Sequence, residues 1–250
     1  MGGVIHPGPQ GENVRTKPPP RRRTWVATAF AALVATALLT GAPAAQAVEN
    51  PTLKVDYDAV GTTHIGAQVD SSMAIGPSVL KSVIDTTNGH IVGGSLAIPT
   101  QTMSFDIFGI PARAKVTMTQ VGPLTGAIVP TSQLGKSTLT STVAYDIQLS
   151  DVEAKVFGIW WPLAVGSRCH TAEPVTITAS TPEGEFFTVN GGGRVTSTYT
   201  IGSFTGCAVL NFFDIPGFFP WFGSIPINTL VPGTDNTLEL QIANPRAGTA

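Results

Sequence analysis

Charge is scarce in this chain. Charged residues are 12% of its 250 positions, about half the usual quarter for a soluble domain. A coiled coil or long charged helix bundle is therefore excluded. Cysteine is scarcer still, with two residues, so neither a disulfide-dense scaffold nor a four-cysteine metal site is available. No apolar run reaches the roughly 20 residues that span a bilayer. The sequence carries no G-x-S-x-G elbow, no H-E-x-x-H, no phosphate loop and no dinucleotide fingerprint after a strand. These absences point to no catalytic residue, no metal site and no cofactor.

Turn formers and apolar residues fill the space. Glycine and proline number 27 and 20, and hydrophobic residues make up 42%. That is apolar enough for a core and turn-rich enough for an all-β protein.

The first 47 residues read as an export signal. A polar, basic stretch ends in Arg21-Arg22-Arg23, and an apolar run of 15 residues follows, Trp25 to Leu39. Ala45-Gln46-Ala47 then supplies a small-x-small cleavage site. Arg22-Arg23-Thr24-Trp25-Val26 loosely resembles a twin-arginine signal, while ordinary secretory export needs only the positive charge. Cleavage near Ala47 leaves residues 48–250 as one secreted domain without a transmembrane span, extracellular or attached to the cell envelope. Five of the fourteen basic residues and one of the sixteen acids fall in the first 47. The remaining 203 residues thus hold nine bases, fifteen acids and a net charge of −6. No basic run survives, so nucleic acid is not an expected partner. An isolated cysteine pair in an exported chain, Cys169 and Cys207, is expected to form a disulfide.

The dominant period along the mature chain is two. Between Leu139 and Leu149 one face carries Leu139, Ser141, Val143, Tyr145, Ile147 and Leu149. The other carries Thr140, Thr142, Ala144, Asp146 and Gln148. A half-buried strand alternates in this way. Shorter runs repeat the pattern around residues 53–59, 175–179, 195–201 and 238–242, with threonine on the outward face. Asn88-Gly89 signals a two-residue hairpin, and Pro123, Gly126, Pro130 and Gly135 mark further loops. The expected fold is all-β: an antiparallel β-sandwich of about ten strands with one disulfide. Phe108-Gly109-Ile110 and Phe157-Gly158-Ile159 echo each other at the ends of alternating runs, as equivalent hairpins would.

Catalytic groups are thin. His64, His90 and His170 are dispersed. The carboxylates Asp56 and Asp58, Asp151 and Glu153, and Glu183 and Glu185 lie two apart, and such pairs could serve glycoside hydrolysis. The most unusual stretch is aromatic: residues 210–227, LNFFDIPGFFPWFGSIPI, broken by Pro216-Gly217 and Pro220. Phe157–Leu163, FGIWWPL, resembles it. Trp160, Trp161, Phe218, Phe219, Trp221 and Phe222 are the candidate apolar patch, with core plugs as the alternative. An exposed patch of this kind meets lipid, an apolar ligand or another protein.

Three segments carry a family resemblance: Cys169-His170-Thr171 with Pro174-Val175, Tyr199-Thr200-Ile201 with Phe204 and Cys207, and Val231-Pro232-Gly233 with Asn236-Thr237-Leu238. Over residues 52–242 the chain resembles secreted actinobacterial proteins to which no activity is attached. The resemblance implies a secreted β-domain with a Cys–Cys bridge. The expected function is a non-enzymatic secreted protein that associates with the envelope or binds an apolar ligand or partner through its aromatic loops. A secreted hydrolase using dispersed carboxylates and an oligomeric envelope pore are the alternatives.

Overall fold

The structure is a computed structural model that describes residues 50–221 and 223–248, so residues 1–47, expected from the sequence to be an export signal, lie outside the described residues. Fourteen strands follow in order. The first seven are β1 (Thr52–Ile65), β2 (Ser71–Asp85), β3 (His90–Leu96), β4 (Gln101–Ile107), β5 (Ile110–Pro130), β6 (Ser137–Val156) and β7 (Ile159–Leu163). The rest are β8 (His170–Thr171), β9 (Val175–Ser180), β10 (Gly193–Ile201), β11 (Phe204–Thr205), β12 (Leu210–Asn211), β13 (Ser224–Ile225) and β14 (Gly233–Ala247). Four of these have only two residues, which leaves the ten substantial strands that the alternation implied.

All pairing is antiparallel, and the main ladder returns to its start. β6 pairs with β9, and the order then runs β10, β14, β1, β2, β3 and β5, which pairs with β6 again. The two layers of the sandwich are thus joined along both sides. A closed ladder leaves no unpaired edge within the ring. β5 and β6, 21 and 20 residues long, run on beyond it. There β4 lies against the start of β5 and β7 against the end of β6.

The inner face is the core. Val143, Tyr145, Ile147 and Leu149 are buried while Thr140 and Gln148 are exposed, as the alternation requires. Thr142 and Asp146 are half-buried because each is engaged by a neighbour. Thr142 shares a hydrogen bond of 3.0 Å with Thr178, and Asp146 accepts one from the Thr171 hydroxyl at 3.1 Å.

All three tyrosines point inward and satisfy their hydroxyls. Tyr145 donates to the Leu96 carbonyl at 2.7 Å, Tyr57 donates to that of Val189 at 3.0 Å, and Tyr199 shares a bond of 2.6 Å with Thr63. Partners matter here because a buried hydroxyl without one costs about 1–3 kcal/mol. Packing fills the ring's interior. Its cavities are about 40, 30 and 10 Å³, far below the roughly 300 Å³ at which small-molecule sites begin.

Two local expectations are corrected. Pro123 and Gly126 lie inside β5, not in a loop between strands. The ladder slips between Val121 and Thr125, where proline's missing donor is tolerated. Leu124 there enters the core, and Gly126 is flush against β6, where a Cβ would come within 2.2 Å of the Thr140 carbonyl oxygen. Asn88-Gly89 does not make a two-residue turn either. β2 ends at Asp85, whose carboxylate accepts from the Thr87 backbone N–H at 2.8 Å and from the Asn88 amide at 3.1 Å, widening the loop to four residues.

Val143→Ala or Ile147→Ala is expected to cost about 1–4 kcal/mol in denaturant unfolding, since neither cavity can collapse against a closed ring. Alkali provides a second check. Burial pushes the Tyr57 hydroxyl up to about 12 and raises those of Tyr145 and Tyr199 as well. Unfolded tyrosine ionises near pH 10. The contribution of these groups is therefore whole below pH 10 and is lost as the pH climbs toward 12. Tyrosinate absorption should rise only together with unfolding.

Candidate functional site

The aromatic end is built from two tight turns and one irregular segment. β4 and β5 meet at Phe108-Gly109, flanked by the pair Ile107 and Ile110. β6 and β7 meet at Phe157-Gly158, flanked by Val156 and Ile159. Ala112 pairs with Ala154 between β5 and β6, so both turns emerge side by side at the same end.

Positive φ at both residues, 51° and 86° in one turn and 53° and 80° in the other, gives the mirror-image turn that fits twisted strands. Glycine accepts this backbone freely. Phenylalanine does not, and left-handed backbone costs it about 1–2 kcal/mol. Asp106 helps to hold the first turn, where its carboxylate accepts the Gly109 N–H. Both strained residues present their rings to solvent, with Phe108 54% and Phe157 71% exposed.

The segment from Cys207 to Val231 closes over this end. Cys169 and Cys207 are bridged with Cα atoms 4.2 Å apart, just below the usual lower limit of about 4.4 Å. β12 and β13 pair as a small ribbon. A 3-10 turn over Phe212–Asp214 follows β12. The Asn211 carboxamide oxygen caps it, accepting from the Phe213 N–H at 3.2 Å. Farther on, Asn228 clasps the β11 backbone. Its side chain accepts from the Phe204 N–H at 2.6 Å and donates to the Phe204 carbonyl at 3.0 Å.

The segment's apolar residues divide. Phe212 and Ile215 are fully buried, so these two are core plugs. Phe218 is half-buried and meets Phe157 edge-on at 6.1 Å. Phe219 and Trp221 are 81% and 86% exposed, and the Trp221 ring lies 5.8 Å from Phe108. The rings of the segment therefore join those of the two turns.

The sequence-derived patch is only partly one surface. Phe218, Phe219 and Trp221 belong to it, and Phe222 lies outside the described residues. Trp160 is half-buried beside the end, with the Arg113 guanidinium 4.3 Å and the Lys155 ammonium 5.8 Å from its ring centroid. Trp161 is a correction. Alternation along β7 turns it to the opposite face from Trp160, and it packs against the core, its indole N–H buried without a hydrogen-bond partner among the described residues. Phe108 and Phe157 are the residues that sequence reasoning left out. The repeated Phe-Gly-Ile was their signal.

Four of the six carboxylates suggested for hydrolysis are held by cations from other elements. Asp58 meets Arg246 at 2.6 Å, Lys115 meets Asp151 at 2.8 Å, Arg113 meets Glu153 at 2.5 Å, and Arg194 pairs with Glu185. Arg246 and Arg194 hold Asp58 and Glu185 below the ordinary carboxylate range. A general acid needs the opposite shift.

Histidine 64 does gather a serine and an aspartate, because His64 pairs with Ser72 across β1 and β2. Its Nδ1 lies 3.2 Å from Ser72 Oγ and its Nε2 lies 3.4 Å from Asp70. A general base reverses these roles, with Nδ1 toward the carboxylate, and the Asp70 side chain is 82% exposed, in screening water. Among the described residues, no three histidine, cysteine or acidic side chains are placed to hold a metal ion. No helix among them is long and apolar enough to cross a membrane.

No family profile, curated protein or solved structure matches the chain.

Two measurements check the site. In protein lacking residues 1–47, and with them Trp25, Trp221→Phe should remove most of the tryptophan emission that acrylamide quenches, leaving that of the half-buried Trp160 and Trp161. Replacing both cysteines by serine should lower stability by about 4 kcal/mol, the chain-entropy value for a separation of 38 residues.

Proposed function

We propose that the protein is a secreted, non-enzymatic β-sandwich that attaches to a lipid surface of the cell envelope through its aromatic end. The observation that carries this reading is the pair of adjacent Phe-Gly turns, each holding a phenylalanine in left-handed backbone and exposing its ring. Asparagine or glycine would make either turn at lower cost. Two strained aromatic tips beside an exposed Phe219 and Trp221 are poorly explained by stability.

Shape supports lipid over a small apolar ligand. The rings stand on hairpin tips, which enter a soft surface and do not enclose a molecule. The described interior cavities, about 40 Å³ and smaller, are too small for such a ligand. Withdrawing four aromatic rings from water is worth on the order of 6 kcal/mol or more. Tryptophan suits the boundary, with an apolar ring and a polar N–H. With a mature net charge of −6, attraction to anionic lipid contributes little, so binding should depend weakly on salt.

The filled interior and the threonine-rich outward strand faces weigh against a pore, whose walls would face lipid. The cation-held carboxylates weigh against a hydrolase.

Flotation with phosphatidylcholine vesicles tests the reading. The exported protein should float with the vesicles. Phe108→Asn with Phe157→Asn, and separately Phe219→Ser with Trp221→Ser, should weaken flotation at least tenfold. Stability should move by no more than about 1 kcal/mol in the asparagine variant, because relief of backbone strain offsets the lost ring contacts. Unchanged flotation in a folded variant sinks the proposal.

A further inference from the structure

Beside the aromatic end, on the outward face shared by β5, β6 and β7, lies an open groove of about 1020 Å³. Its floor carries Arg113, Lys115, Asp151 and Glu153, and one wall is the apolar run Pro162–Val165. The size is at the top of the range for small-molecule sites, enough for several linked rings and too open to enclose one.

The groove owes its floor to a bulge. The β5–β6 register slips between Arg113 and Lys115, so Asp151 is extra and takes φ 46°. Bulges re-aim side chains next to sites, and this one sets Asp151 Oδ2 2.8 Å from Lys115 Nζ, alongside the Arg113–Glu153 pair at 2.5 Å. Stability gives little reason for the device. The Lys115 and Asp151 side chains are 54% and 62% exposed, and water screens such a pair until it adds little to stability, not enough to explain a residue held in left-handed backbone.

The four charges balance, so the groove favours neither anion nor cation. Hydrogen-bonding capacity remains. A guanidinium has five N–H groups, an ammonium three, and a carboxylate about four acceptor sites. Arg113 reaches Glu153 through Nε, which leaves its terminal N–H groups over. A ligand matching leftover donors and acceptors together must itself be both donor and acceptor at many points, and uncharged. Hydroxyl groups on rings with apolar C–H faces have that chemistry, and the exposed Pro162 and Ala164 supply the apolar contact.

We propose that this groove binds a neutral glycan chain without cleaving it. With Lys115 and Arg113 holding the two carboxylates, neither is placed to act as a general acid. The site shares no residue with the aromatic tips, so its failure and theirs are separable.

The test is an amide NMR titration of the exported protein with neutral hexasaccharides of glucose, mannose and galactose in α and β linkage, up to millimolar concentration. A galacturonate hexamer serves as the charged comparison. At least one neutral probe should shift resonances of the groove residues, with the acidic hexamer at least tenfold weaker. Asp151→Asn combined with Glu153→Gln should lower affinity about tenfold. Asparagine keeps the left-handed backbone, and Lys115→Met provides a second variant if that one fails to fold. The recovered sugar should keep its length. The proposal is overturned if no neutral probe shifts the groove, if shifts fall elsewhere, if the acidic hexamer binds better, if the variants bind like the original, or if the sugar is shortened. The same hexasaccharide carried on a lipid in vesicles distinguishes a free chain from an envelope-attached one.

Discussion

The pairing of β5 with β6 is the constraint from which the rest of the molecule follows. Each strand serves two structures. One half of each closes the ring, and the other halves run on side by side to carry β4 and β7. The slip at Val121 and Thr125 lets one pair do both. Register then decides what the far end presents. With Ala112 opposite Ala154, the turns at Phe108 and Phe157 reach the same level, and the irregular segment can touch both. A slip of one residue would turn every side chain of one strand to the other face and send core valines and isoleucines into water.

The largest exposed rings collect at one end. Within the ring the inward-facing apolar side chains are buried and the tyrosine hydroxyls are bonded, while the outward positions are rich in threonine with a few exposed valines such as Val60, Val92 and Val129. The aromatic segment is fastened at both margins, by the Cys169–Cys207 bridge and β12 on one side and by Asn228 and Val231 on the other. Phe212 and Ile215 anchor its middle. The rings between these anchors are held in place by backbone that is itself well supported, which reduces the entropy lost when such a surface meets a partner.

Much of the fold was legible in the amino-acid order, and the reasons are local. The alternation from Leu139 to Leu149 reports a two-sided strand directly. The two cysteines of the chain had only each other to pair with. Closure of the ladder was not legible, since it depends on contacts between β3 and β5 that no neighbouring residues announce. Turn chemistry misled in both directions. Asn88-Gly89, the stronger signal, was diverted by the carboxylate of Asp85, while Phe-Gly, a poor turn on propensity, made the tight hairpins. Of the aromatic candidates, Trp160 and Trp161 could not be sorted until the phase of β7 was known. The bulge at Asp151, which shapes the groove, shows in the sequence only as a phase shift of the apolar alternation, from Leu149 to Val152.

Closure of the ring by β14 has a consequence for the order of events in folding. β14 lies between β1 and β10, and its pairing with β1 brings Val55 against Ala247. The first strand of the domain thus waits for the last. Until β14 has been made, β1 and β10 both have an open edge, and the sheet is a curved ribbon. Contacts of such long sequence separation form slowly, because the loop entropy falls due before they can reward it. A chain that emerges N-terminus first would therefore finish folding only after its tail has emerged, whereas β5 and β6, neighbours in sequence, could pair well before then.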